Sequence, residues 1–223
     1  MFFRTLFSKY QQSLAKRPIT TNMCSTGVIF GCGDALAQLL FPNQPLATDN
    51  PEHSDYVAHT NPKNLQFDFS RTLRSVIYGS VIFSPVGFHW YKFISGVRSP
   101  IRLAAGSTSR LQKALDLFTR VSVDQIIFSP LAVGMYFSVM PLLETGSWSE
   151  MKERLEENFK LTLLTNWKVW PIFQLFNLSI VPLEFRLISS NILGVFWNCF
   201  LSYQNNKRSS DSQLPVYSPP VPE

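Results

Sequence analysis

The stretch "GVIFGCGDALAQ", residues 27–38, decides how this chain folds. Its one charged side chain is Asp34, the first acidic residue from the N-terminus. Apolar sequence extends on both sides, from about Ile19 to Phe41, between Pro18 and Pro42. That reaches the ~20 residues an α-helix needs to cross a bilayer. Pro18 stands where a helix start tolerates a missing N–H. Gly27, Gly31 and Ala35 recur at intervals of four, a row of small residues that lets a second helix approach closely. Asp34 and Gln38, also four apart, flank that row. A charge at mid-bilayer costs ~2.5–3.5 kcal/mol, whereas each large apolar side chain returns only ~0.3–0.6 kcal/mol. The segment is therefore predicted as a membrane helix whose packing face and polar face both turn inward. A phosphate-cradling glycine loop is excluded, because no strand precedes it and no GxGxxG is present.

The rest of the chain extends the pattern. Charged residues are 16% of the 223, against ~25% in an ordinary soluble domain. Mean hydropathy is only +0.04, but polar residues gather in blocks at 42–69, 97–115, 144–160 and 204–223. Apolar blocks of about span length separate them. The predicted fold is all-α, a multi-span transmembrane helical bundle of about four spans. Spans are expected near 19–41, 75–95, 121–143 and 161–181, with a possible further helix over 184–203. Residues 42–69 read as a polar, Pro-rich loop, 144–160 as an exposed helical turn or two, and 204–223 as a disordered tail. Pro85 and Pro130 should kink their spans, and Pro171 and Pro182 should break the last apolar region. "IFSP" occurs at 82–85 and again at 127–130. An internal repeat and coincidence in a Phe-rich sequence are the two readings.

Residues 1–17, "MFFRTLFSKYQQSLAKR", form a basic amphipathic segment without an acid. That is the composition of mitochondrial targeting, and it also suits an interfacial helix on anionic lipid. With four crossings, the N-terminus, the 97–120 loop and the tail share a side. That side holds eleven Lys and Arg against six opposite, which places both termini on the positive side, the matrix in a mitochondrion. A fifth crossing would move the tail. The net charge of +5 is explained by this flanking pattern, and no nucleic-acid-binding motif is present.

Polar groups inside the spans are the candidate functional residues: Asp34, Gln38, His89, Asp124, Gln125, Lys168, Gln174, Asn177 and Arg186. Lys168 and Arg186 are potential partners for Asp34 and Asp124. Two readings stand, interhelical pairing or the polar lining of a solute path. His89 reads as interfacial or as a proton-responsive cavity group, and Trp90 and Tyr91 as an interfacial belt. Cys24, Cys32 and Cys199 lack metal-ligand spacing and read as small buried side chains, with a redox pair Cys24–Cys32 as the alternative. No catalytic constellation or cofactor motif emerges, so neither an enzyme nor a cofactor is expected.

Several stretches carry a resemblance. "GCGDALAQ", "DFSRTLRSVIYG" with "SPVGFHWY", "VDQIIFSP", "NWKVWPIFQLFNLSIVPLEFR" and "WNCFLS" follow one another over most of residues 18–202. The chain resembles the Mpv/twenty-two-kilodalton peroxisomal membrane protein family, and most of all its fungal mitochondrial inner-membrane stress-response branch. The most specific part is WxxWPxxQxxN, on Trp167, Trp170, Pro171, Gln174 and Asn177. Ser84 stands where the family usually has Gly, Leu178 where Phe is common, and the 42–69 loop is longer than usual. The resemblance implies a multi-pass protein of the mitochondrial inner membrane, with the peroxisomal membrane as the alternative. It also implies links to mitochondrial DNA maintenance and metabolic stress, and in some members a non-selective channel. The expected partners are membrane lipid, small solutes, and further copies or an inner-membrane complex, with no direct nucleic-acid contact. A structural scaffold in the membrane is the competing reading.

Overall fold

Residues 2–40, 67–103, 109–197 and 199 are described by the computed structural model, and every regular element among them is helical. Helix α1 (Phe2–Lys16) meets α2 (Pro18–Leu40) with only Arg17 between them. The hydrogen-bond ladder crosses that joint, since the Arg17 N–H donates to the Ser13 carbonyl at 2.8 Å and the Thr21 N–H to the Arg17 carbonyl at 3.0 Å. Helix α3 is a continuous rod of three parts: Phe69–Ile77, a π-helical turn Tyr78–Phe83, and Ser84–Gly96. Helix α4 repeats the design with Ser109–Val123, a π turn Asp124–Phe128, and Ser129–Thr145. Helix α5 (Trp148–Ser179) follows after two residues. A 3₁₀ turn, Leu183–Phe185, then leads into α6 (186–197).

Each turn has a local cause. Gly146 takes φ 70, a left-handed conformation that ends α4 and that other residues adopt at a cost. The Ser147 hydroxyl then caps α5 by accepting from the Glu150 N–H. Asp68 caps α3 by accepting the Arg71 N–H at 2.9 Å. At the far end of α5, Arg186 donates to the carbonyls of Leu178 (3.2 Å) and Val181 (3.0 Å), satisfying groups that a helix end leaves bare.

Consecutive helices from α2 to α6 reverse direction. An added Cβ at Gly27 would meet Ser80 Cβ at 3.1 Å, and one at Gly31 would meet Val76 Cγ2 at 2.7 Å, so these glycines set the α2–α3 contact. Ala35, the third of the row, is only half-buried. A second small face on α2, Gly33 with Ala37, turns toward α6, where Val195 Cγ2 lies 3.1 Å from the Gly33 Cβ position. α2 is thus held between α3 and α6.

Side-chain burial is inverted relative to a water-soluble domain. Among the described residues, fourteen polar or charged side chains are buried against eleven apolar ones. Gln174, Asn177, Thr26 and Asp124 are among the largest fully buried groups, while Val28, Leu39, Val81, Ile126, Ile172 and Phe196 are exposed. An apolar coat around a hydrogen-bonded interior is the arrangement lipid requires. Among the described residues, two helical stretches, Pro18–Leu40 and Arg110–Thr145, are long and apolar enough to cross a membrane.

The structure corrects several expectations. α4 begins at Ser109, so part of the expected 97–115 loop is helix. The 144–160 connector is mostly the first half of α5, which passes through Pro171 without a break. Transmembrane helices accommodate such a proline because packed neighbours satisfy the carbonyl it frees. Pro85 and Pro130 each follow a π turn, in which the Ser84 N–H reaches the Gly79 carbonyl and the Ser129 N–H the Asp124 carbonyl. The two "IFSP" stretches therefore end the same local structure, a register shift that brings in a proline. Cys24 and Cys32 are exposed on α2, not buried. Of the expected 42–69 loop, residues 42–66 lie outside the described residues, as does the tail at 204–223, and Phe69 already begins α3.

Candidate functional site

Between α2, α3, α4, α5 and α6 lies a cavity of about 150 Å³. Nine of its twenty lining residues are Phe, Tyr or Trp, and none is Lys, Arg or His. Its polar side is built on Asp124, the first residue of the α4 π turn, which is 1% exposed. The Trp90 indole N–H donates to Asp124 Oδ1 at 2.8 Å. Asp124 Oδ2 accepts from the amides of Gln125 (2.8 Å) and Gln174 (3.0 Å). Gln174 also donates to the Tyr91 hydroxyl at 3.2 Å, as does Asn177, and Tyr91 in turn bonds Ser190. One turn along α4, the Asn166 amide donates to the Ser129 hydroxyl at 3.0 Å, and across the bundle Asn191 donates to Thr26 at 2.7 Å.

These bonds do not use everything. Gln125 Oε1, Asn166 Oδ1, Asn191 Oδ1 and the Trp170 indole N–H are buried, belong to lining residues, and have no hydrogen-bond partner among the described residues. A buried polar atom without a partner costs about 1–3 kcal/mol. The unmatched atoms therefore mark a place for a polar occupant, water or solute.

A second cluster closes one end of the bundle. Asp34 Oδ1 accepts the Arg71 Nε–H at 2.9 Å, and Asp34 Oδ2 accepts the Thr72 hydroxyl at 2.7 Å and the Gln38 amide at 2.8 Å. Gln38 Oε1 also accepts the Asp68 N–H at 2.8 Å, tying α2 to the start of α3. Glu144 bridges onward, with Arg154 at 2.7 Å and Arg74 at 3.9 Å. Asp34 therefore sits near the end of α2, not at its centre. Among the described residues this end is acid-paired, whereas Arg120 and Arg186 at the opposite end bond only carbonyl oxygens. Arg98 reaches Asp116 there at 3.4 Å. Outside the apolar stretch 121–143, Asp116 is held below the ordinary carboxylate range, first by the Ser99 N–H at 2.8 Å.

The structure separates the candidates. Asp124, Gln125, Gln174 and Asn177 come together, and Asp34 with Gln38 forms the second cluster. Lys168 is exposed on the outer face of α5 and partners neither aspartate. Arg186 caps α5 instead of pairing with Asp124. His89 is exposed, with Nδ1 2.8 Å from the Pro85 carbonyl, and is not among the residues lining this cavity. Trp90 and Tyr91, expected at the interface, are interior groups on Asp124 and Ser190. Sequence reasoning missed Arg71, Thr72, Asn166, Ser190 and Asn191. Each is a polar residue in or beside an apolar stretch, which is the signal that singled out Gln174 and Asn177.

The chain is 40% identical over 218 residues to Protein SYM1 of Saccharomyces cerevisiae, covering 98% of this chain and 99% of that protein. The profile of the Mpv17 / PMP22 family matches residues 141–202. The chain belongs to the Mpv17 / PMP22 family. It is similarly 40% identical over 214 residues to Protein SYM1 of Kluyveromyces lactis, covering 96% of each chain. Protein sym-1 of Neurospora crassa is 32% identical over 202 residues, which cover 91% of this chain and all of that protein. No solved structure matches. This Mpv17 / PMP22 member is an all-helical membrane protein. The profile match spans α5 and α6, the helices that carry Trp167, Trp170, Gln174, Asn177, Ser190 and Asn191. The Trp167 indole donates to the Gln125 carbonyl at 3.1 Å, so Trp167 and Gln174 of the WxxWPxxQxxN motif both bond the α4 π turn.

Proposed function

We propose that the protein is a multi-pass component of the mitochondrial inner membrane that provides a pathway for small solutes, without catalysing a reaction. The observation that carries this reading is the cavity inside the bundle, with its four unpartnered polar atoms. A bundle needed only for packing would gain by filling that space, since empty volume costs about 24 cal/mol per Å³. The basic N-terminal helix favours a mitochondrial over a peroxisomal address. Support for mitochondrial DNA maintenance and for metabolism under stress would follow indirectly, through solutes. Purified protein in planar bilayers should conduct, and filling the cavity with Ala132→Phe should lower the conductance. Silence of the wild-type protein across voltages and salts would sink the pathway. A second reading has its own observation: most intramembrane polar groups are already bonded between helices, as a scaffold requires. Stoichiometric co-purifying partners with no conductance would favour it.

A further inference from the structure

The cavity holds an acidic side chain without a cationic partner. Asp124 accepts hydrogen bonds from an indole and two amides, all neutral donors, and no ion pair among the described residues reaches it. No lining residue carries a positive charge. A buried charge is costly unless something pairs with it. The neighbouring amides add to the imbalance. Because the carboxylate accepts, Gln125 turns its N–H₂ toward it and leaves Oε1 unbonded. Asn166 and Asn191 likewise spend their N–H₂ groups on hydroxyls and leave Oδ1 unbonded. Among the described lining residues of the cavity, three unmatched acceptors stand against one unmatched donor, the Trp170 N–H. The remaining wall is mostly aromatic, and ring faces attract cations, more strongly where water is excluded.

We propose that this cavity binds a small organic cation, a primary alkylammonium whose N–H groups meet Asp124, Gln125 and Asn166 and whose carbon end lies among Phe83, Tyr136 and Trp170. Size limits the class. A cavity of about 150 Å³ matches the volume that holds one benzene-sized molecule or roughly five waters. A nucleotide or other large metabolite does not fit within that volume. The inference names the solute class of the same cavity and rests on reading that cavity as a solute site; binding and conduction are separate measurements.

The test uses the full chain in lipid nanodiscs and three probes of nearly equal size: propylammonium, 1-propanol and propionate. Ligand-observed NMR or calorimetry reads the affinities. Propylammonium should bind at least about tenfold tighter than 1-propanol, a ~1.4 kcal/mol difference, and propionate should not bind. Asp124→Asn should bring propylammonium down to the level of 1-propanol. Gly194→Leu should abolish binding of both, because Gly194 lines the cavity and an added Cβ there has open space within 4 Å to carry the larger side chain. Equal or tighter binding of 1-propanol overturns the proposal. So does binding of propionate, no binding of any probe (a cavity that holds water only), or propylammonium affinity unchanged by either substitution. Should Asp124→Asn fail to fold, the wild-type comparison and Gly194→Leu still decide. Conduction without ammonium binding refutes this inference alone; ammonium binding without conduction refutes the pathway alone.

Discussion

At the scale of single residues, the two intramembrane aspartates are held by different chemistry. Asp34 has a cation, Arg71, with Thr72 and Gln38 beside it. Asp34→Asn keeps the shape and removes the charge pair, leaving a partly buried guanidinium. A loss of about 1–3 kcal/mol is expected in a denaturant titration of the reconstituted protein. Lys168→Leu, on the outer face, should stay within about 0.5 kcal/mol of wild type. Asp116 gives a pH dependence. Its pKa is lowered from 3.8, mainly because its ionised form accepts the Ser99 N–H. The stabilisation is then complete above the ordinary value and fades as pH falls through the lowered one. Hydrogen exchange corrected for intrinsic rates should show the Ser99 amide protected at neutral pH and released in acid. Asp116→Asn should weaken that protection at neutral pH. Sequence alone identified both intramembrane aspartates but assigned Asp34 the wrong partner. Lys168 and Arg71 both stand near apolar sequence, and only the rotational phase of each helix decides which cation faces inward.

Among the elements, the α2–α3 contact has the narrowest tolerance. A Cβ at Gly79 would lie 2.6 Å from Phe30 Cγ and 2.9 Å from its Cβ, atoms near the root of a ring with little room to swing. Gly79→Ala should therefore destabilise by about 1–3 kcal/mol through overpacking, read as a lowered thermal midpoint. Gly96→Ala meets nothing within 4 Å and is the matched control. The positions of the helices were legible because an apolar run of span length, in a chain this poor in charge, folds as little else but a membrane helix. The paired π turns were not. One extra residue in a helical turn hardly disturbs hydropathy, so "IFSP" was visible as letters and silent as geometry. Pro171 misled for a related reason: a proline weakens a helix locally, and the 32-residue α5 packed along α4 absorbs the loss.

For the whole molecule, the polar interior and apolar coat made membrane character legible from block composition alone. The cavity was not, because its walls come from distant parts of the chain, as the bond from Asn191 to Thr26, 165 positions away, illustrates. Topology follows from helix direction. α6 runs alongside α2 in the same sense, with Asn191 on Thr26 and Val195 against Gly33, so it heads away from the end where α2 starts. Tags at the two termini should therefore be cleaved by protease from opposite faces of the membrane. Cleavage of both from the same face would show that α6 turns back.

The joint at Arg17 bears on how the protein matures. α1 is packed in: Leu14 is 5% exposed, and the Tyr10 ring lies 6.3 Å from that of Phe185. A processing peptidase cutting between α1 and α2 would remove Leu14 from its niche, a change comparable to the ~2–5 kcal/mol of a core Leu truncation. A cut after Arg17 would also take away the carbonyl that receives the Thr21 amide in the first turn of α2. The N-terminal helix is thus part of the packed structure, and the protein recovered from its membrane should carry that helix uncut in an intact-mass measurement.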